Sequence, residues 1–246
     1  DKRFDVAVYH DGPKENWSLR LRPSTSVVWI GDSNSRRIRN VPIGWEVHAY
    51  SGARFSHIVQ LLRQVVNNSL LELRTVIIAA GINHRDDGDH RCVAQLRELH
   101  AVVNFLDNMG IHTTVIGVSY PTTLGESAQH QIDKVNKWLQ DEVPTANYIA
   151  PLRSNEVNVM RDKYGIHHDV GTVDCIFRTA VAVCTDAQQQ DNQQEPLDTT
   201  VITTTMGQRG NETLINTLTV DTSLSMETDE REFEVVGKGS KRKGID

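Results

Sequence analysis

A serine stands where an apolar run gives way to a small polar turn. In Val27-Val28-Trp29-Ile30-Gly31-Asp32-Ser33-Asn34-Ser35, five residues suited to a buried strand lead into Asp32-Ser33-Asn34, and a helix is predicted to follow. In an open α/β sheet, ligands sit beyond the carboxyl ends of the strands. A serine there, at a helix N-terminus, would have backbone N–H groups beside it that can hold an oxyanion. The competing reading is structural: Asp32 or Ser33 simply caps the helix.

Three further segments follow in order, at the ends of later strand candidates: Tyr50-Ser51-Gly52-Ala53, Gly81-Ile82-Asn83 and Gly165-Ile166-His167. Together with Gly31-Asp32-Ser33-Asn34 they resemble blocks I, II, III and V of the SGNH (GDSL-like) hydrolases, over residues 26–184. The resemblance implies a flavodoxin-like three-layer α/β/α sandwich with a central five-stranded parallel sheet. It also implies hydrolysis of acyl esters of the esterase, lipase or deacetylase type, with no cofactor and no metal. Carried over by position, Ser33 would attack the acyl carbon and His167 would accept its proton. The backbone N–H groups of Ser33 and Gly52 and the side-chain amide of Asn83 would hold the oxyanion. Chemistry supports that set, because a serine hydroxyl is a weak nucleophile until a base takes its proton. Gly52 read alone is a turn glycine, and Asn83 read alone is a cap before His84 and Arg85.

The pattern departs from that family at Tyr164, three residues before His167, where relatives usually carry an Asp that orients the imidazole. Asp162, Asp169 and Asp174 are the nearby carboxylates that could replace it, and a Ser-His dyad oriented by a backbone carbonyl is the other solution. His168 is an alternative base if the loop is shifted by one residue. Adjacent histidines rarely chelate one ion, and no cysteine or carboxylate cluster is spaced to join them. The remaining histidines, His48, His57, His84, His90 and His100, lack ligand spacing and read as surface or satisfied core residues. Trp29 and Trp45 read as core.

The elements that must position these residues alternate between two periods. Strand candidates are Ser26–Ile30, Trp45–Tyr50, Thr75–Ala80, Thr113–Ser119 and Tyr148–Ala150. Phe55, Ile58, Val59, Leu62, Val65 and Val66 recur at helical spacing, as do Val93, Leu96, Leu99, Val102, Val103 and Leu106 before Gly110. Ile132, Val135, Trp138 and Leu139 predict a third helix and Val173–Val183 a last one. That order is the signature of a parallel α/β sheet. Residues 1–25, with Phe4, Val6, Val8 and Tyr9 alternating, predict an N-terminal arm or an edge strand, and residues 26–184 the hydrolase-like domain. From residue 185 to 246 the composition turns to Gln, Asn, Thr and Asp, which predicts a disordered low-complexity tail. Its basic end, Lys238, Lys241, Arg242 and Lys243, is the one place where nucleic-acid contact is conceivable, although a solvated charge run is the commoner meaning.

Of the 246 residues, positions 1–184 hold 20 acidic and 20 basic side chains, while 185–246 hold 12 and 6, so the net charge of −6 lies in the tail. A neutral body offers no electrostatic footprint for nucleic acid beyond a small cluster at Arg36, Arg37 and Arg39. Three cysteines without a Cys-x-x-Cys pair argue against a disulfide framework or a zinc knuckle. No window approaches the roughly 18–20 apolar residues of a membrane span, and no signal peptide is recognisable, so an intracellular location is expected. The expected partner is a small-molecule, lipid or carbohydrate acyl ester; oligomeric state is not legible. The rival to a hydrolase is an SGNH-fold binding module that keeps the scaffold without turnover, motivated by Tyr164. The Gly31–Arg37 segment also resembles the start of SGNH domains in some retrotransposon proteins, which with the basic-ended tail would suit a mobile-element protein or polyprotein.

Overall fold

The computed structural model describes residues 7–66 and 72–193. The described strands, all parallel, are β1 (Ala7–His10), β2 (Val27–Gly31), β3 (Trp45–Tyr50), β4 (Thr75–Ala79), β5 (His112–Ile116) and β6 (Asn147–Ile149). They form one sheet in the order β1-β3-β2-β4-β5-β6. Without β1 the order is the doubly wound, flavodoxin-like one, with its switch point between β2 and β4. The sheet therefore has six strands where the sequence predicts five. The sixth, β1, runs beside β3 with Ala7 opposite Val47 and His10 opposite Tyr50. It is short, and Ala7 and Val8 are exposed, so it lacks the apolar run of a central strand.

Among the described residues four α-helices cover the sheet: α1 (Phe55–Val66), α2 (Asp89–Asn108), α3 (Glu126–Glu142) and α4 (Val170–Gln193). Strand side chains alternate between the two faces. Val28, Ile30, Val76, Ile78 and Val115 pack with Ile58, Leu62, Leu96, Leu99, Ile132 and Val135 of α1, α2 and α3. Val27, Trp29, Trp45, Val47 and Ile77 pack with Val173, Phe177, Ala180 and Cys184 of α4. Phe177 meets both Trp29 and Trp45 edge-on, with ring centroids 5.4 and 6.0 Å away. Each such buried side chain is worth about 1.5–3 kcal/mol.

Three local expectations are corrected. Ser33–Arg37 is a 3₁₀ helix rather than the start of an α-helix, so no helix macrodipole stands behind Ser33. The strand expected to reach Ser119 ends at Ile116: Gly117 N–H still donates to Ile149 O (2.8 Å), but Val118 then pairs through both backbone groups with the Asn136 side chain instead of a neighbouring strand. Helix α4 continues to Gln193, past the composition change at Cys184, because Gln and Ala are good helix formers whatever their polarity. Residues 194–246, including the basic cluster at 238–243, lie outside the described residues.

The stretch from Asp11 to Thr25 is tied to β3. Buried Glu46 accepts from the Arg22 backbone N–H and side chain, both at 2.9 Å, and from the Thr25 hydroxyl. The Tyr50 hydroxyl donates to Ser18 O at 2.8 Å. These bonds place Lys14 against the turn after β3, where its ammonium donates to Gly52 O at 3.1 Å.

Candidate active site

Ser33 follows β2, Gly52 follows β3 and Asn83 follows β4, so the strand order brings all three to the carboxyl edge at the switch point. Asp32 initiates the Ser33 turn: its carboxylate accepts from Asn34 N–H at 3.0 Å, and its own N–H donates to Ala79 O at 3.1 Å. Gly31 permits this turn, since a Cβ there would fall 1.9 Å from Ser35 Oγ, which itself accepts from the Trp29 indole at 2.8 Å. Asp32 is buried, and the Gly81 and Ile82 backbone N–H groups lie near its carboxyl. Burial pushes its carboxyl up to about 6, against the opposing pull of those N–H groups and of nearby His167.

His167 arrives from the loop before α4. Its Nε2 lies 3.2 Å from Ser33 Oγ. Its Nδ1 is hydrogen-bonded to Asp162 Oδ2. Asp162 Oδ1 accepts from the N–H groups of Tyr164 (2.9 Å) and Gly165 (2.8 Å), which bends the segment back on itself. The His167 hydrogen bond, with those two N–H donors, holds the Asp162 carboxyl below the usual carboxylate range. The antiparallel bridge between Val159 and His168, with Met160 N–H donating to His167 O at 2.8 Å, anchors the loop. A serine, an imidazole and a carboxylate in this line can pass a proton from Oγ to Nε2 while the carboxylate fixes the tautomer.

The other candidates fall elsewhere. Asp169 Oδ1 accepts from Thr172 N–H at 2.7 Å and so caps α4. Asp174 pairs with Arg178 on the α4 surface at 2.7 Å. His168 is buried, with its backbone N–H donating to Asn34 Oδ1 (2.9 Å) and its Nε2 facing Ser119 O (3.1 Å). Burial pushes its pKa down to about 4. Tyr164 is 56% exposed and turns its ring edge-on to His167, centroids 5.6 Å apart.

Gly52, at φ 71°, takes a conformation that side chains disfavour, and among the described residues no acceptor takes its N–H. Asn83 donates one amide hydrogen to Ala53 O at 3.0 Å, which leaves the second for a ligand. Gly81, at φ 145°, makes the preceding bend; a Cβ there would sit 2.4 Å from Val118 Cγ2. Beneath the turn lies a cavity of about 50 Å³, lined by Trp29, Asp32, Ile82, Ile116, Val118 and His168, which does not include Ser33. Among the described residues no three His, Cys, Asp or Glu side chains converge as for a metal, and no helix is long and apolar enough to cross a membrane.

Two buried groups escape a sequence reading. Asp32 looks like a plain cap, and His84 looks like one scattered histidine among several. A signal existed for His84: Asp87 lies three residues on, within reach in a tight turn.

The sequence matches no family profile and no curated protein. The structure is similar to a GDSL-like lipase from Bacteroides thetaiotaomicron VPI-5482, with 15% identity and a TM-score of 0.51 over 71% of this chain and 94% of that one. It is also similar to a member of the lipolytic protein G-D-S-L family from Veillonella parvula DSM 2008, with 13% identity and a TM-score of 0.50 over 65% of this chain and 98% of that one. At such identities the likeness establishes the fold alone, the one these two structures share.

Proposed function

We propose that this chain, having the fold of GDSL-type lipases, is a serine hydrolase of acyl esters, with Ser33 as nucleophile, His167 as base and Asp162 as orienting carboxylate. The observation that carries the reading is the continuous line from Asp162 through His167 to Ser33 Oγ, the last step 3.2 Å long. The proton of Ser33 passes to Nε2 as Oγ bonds to the acyl carbon. The oxyanion that develops is received by the N–H groups of Ser33 and Gly52 and by the free amide hydrogen of Asn83. Each such donor is worth about 2.7–4 kcal/mol of barrier. Collapse breaks the bond to the alcohol, which leaves with the proton from His167. Water then gives a proton to His167 and its oxygen to the acyl carbon, and the acid departs as Ser33 regains its hydrogen.

The rival binding module rests on the missing Asp at position 164, and a carboxylate two residues earlier removes that motive. The test is hydrolysis of short-chain p-nitrophenyl esters, with labelling by a fluorophosphonate, in the intact protein beside Ser33→Ala and His167→Ala. Turnover and labelling that disappear in both variants support the hydrolase. A folded protein that neither turns over nor labels would leave the binding module standing.

A further inference from the structure

Three groups that the ester chemistry does not use sit between the turn after β3 and the turn after β4. His84, which follows Asn83, is fully buried. Its Nε2 accepts the Phe55 backbone N–H at 3.0 Å, and its Nδ1 faces Asp87 Oδ2 at 2.8 Å. The other oxygen of Asp87 accepts from Arg54 Nη1 at 2.7 Å. The His84 ring also stacks on the Phe55 ring, centroids 4.5 Å apart and 14° from coplanar. Arg54 and Phe55 come directly after Gly52-Ala53, and Ala53 O accepts from the Asn83 amide.

The hydrogen-bond pattern defines the tautomer. An imidazole that accepts an amide N–H through Nε2 must carry its proton on Nδ1, and that proton goes to the Asp87 carboxylate. One ring thus supplies one acceptor to the Gly52 side and one donor to the Asn83 side, with no hydrogen-bonding capacity left over. Buried and fully paired polar groups of this kind rigidify what they join, because any movement leaves a partner orphaned.

We propose that His84 is a positioning residue that locks the turns Gly52–Phe55 and Gly81–His84 into one unit, so that the Gly52 N–H and the Asn83 amide keep a fixed spacing. The assignment rests on the ester-hydrolase reading for its catalytic consequence, and on the hydrogen bonds alone for the coupling of the turns. It also accounts for Arg54, whose ion pair with Asp87 extends the clamp to the residue just after Ala53.

The experiment compares His84→Phe, which keeps the ring but loses both hydrogen bonds, with His84→Gln, which can accept from Phe55 and donate to Asp87. Backbone amide exchange is followed in the full-length protein. Exchange over Gly52–Phe55 is expected to accelerate in His84→Phe and to recover in His84→Gln, with the middle of α2 unchanged; equal protection in all three proteins overturns the proposal. For turnover, kcat of His84→Phe is expected to fall about 10²-fold, as for a misplaced catalytic group, with KM nearly unchanged. That loss should vanish when Asn83 is already Ala, and full additivity of the two changes overturns the proposal. If His84→Phe does not fold, Asp87→Ala, which removes the acceptor of both His84 and Arg54, is read the same way. Absence of Ser33-dependent turnover in the unaltered protein overturns the hydrolase reading instead, and amide exchange then decides the coupling by itself.

Discussion

Asp162 holds Nδ1 of His167 from five residues upstream, with Tyr164 between them in sequence, exposed and edge-on to the His167 ring. The carboxylate therefore comes from a position two residues earlier than the SGNH pattern would place it. The tight bend at Tyr164 and Gly165, whose N–H groups both donate to Asp162 Oδ1, makes the longer route possible. Asp162→Asn is expected to lower kcat by up to about 10⁴-fold, the loss typical of removing an orienting carboxylate. Asp169→Asn should leave both kcat and stability nearly unchanged, because an Asn oxygen can still accept from Thr172 N–H and cap α4. Steady-state kinetics beside urea melts separates the two; an inert Asp162→Asn would point to a Ser-His dyad.

Tyr164→Asp gives a second test of the same geometry. If Asp162 already orients the ring, a carboxylate at 164 adds nothing and kcat stays where it was. A clear rise would mean that the native orienter is inadequate and that position 164 limits turnover. Ester hydrolysis at neutral pH reads the difference directly.

His167 and His168 should respond in opposite ways to truncation. His167 is partly exposed, so His167→Ala is expected to abolish turnover with a stability change within about 0.5 kcal/mol. His168 is buried with its ring nitrogen on Ser119 O, so His168→Ala orphans that carbonyl and opens a cavity. A loss of about 1–3 kcal/mol is expected for the hydrogen bond alone. Protein that remains folded should keep measurable turnover. Thermal unfolding measured beside kcat checks both, and loss of turnover in folded His168→Ala would reassign the base.

What the chain discloses before folding follows from how local each determinant is. Val27–Gly31 and Thr75–Ala79 are legible as buried parallel strands because nearly every residue is apolar and β-branched or small, a requirement of being covered on both faces. Ser33 stands out by its place just past an apolar run, whereas Gly52, Asn83 and His167 are singled out only by the ordered resemblance to the SGNH blocks, each being ordinary when read alone. The orienter is not legible, since choosing among Asp162, Asp169 and Asp174 depends on loop dihedrals that no periodicity encodes. His84 is obscured for a related reason: Asp87 is only three residues away, but the Phe55 N–H that completes its pairing comes from another turn, which only the sheet order brings alongside. The edge strand β1 is legible only as one of two alternatives, an arm or an edge strand, because its alternation is short and Ala7 and Val8 are exposed.

Asp32 gives a pH signature. Its carboxyl is raised to about 6 in the folded chain, so between the unfolded value near 3.8 and about 6 the folded state binds more protons than the unfolded one. Its contribution to stability is present below that window and is lost as pH rises through it, by up to about 3 kcal/mol. Asp32→Asn removes the titration while keeping an acceptor for Asn34 N–H. The variant is expected to gain stability relative to the native protein as pH rises from 4 to 7, measured by urea unfolding at several pH values. Parallel curves for the two proteins would count against the burial of an ionisable group there.

Glu46 makes the opposite prediction. Its carboxylate is buried in β3 but accepts from Arg22, Thr25 and His48, which together outweigh the burial and hold it down to about 2. Here the unfolded state binds more protons, so the stabilisation is complete above the unfolded value of 4.5 and is lost as pH falls toward 2. The shift corresponds to on the order of 3 kcal/mol. Glu46→Gln should lose about that much at pH 7 and should approach the native protein near pH 2. Because Arg22 and Thr25 belong to the segment that carries Lys14 to Gly52, the variant should also free that segment. Faster amide exchange in residues 14–25 is therefore expected well before global unfolding. If exchange there is unaltered, the segment is held by Tyr50 and Leu19 rather than by the Glu46 carboxylate.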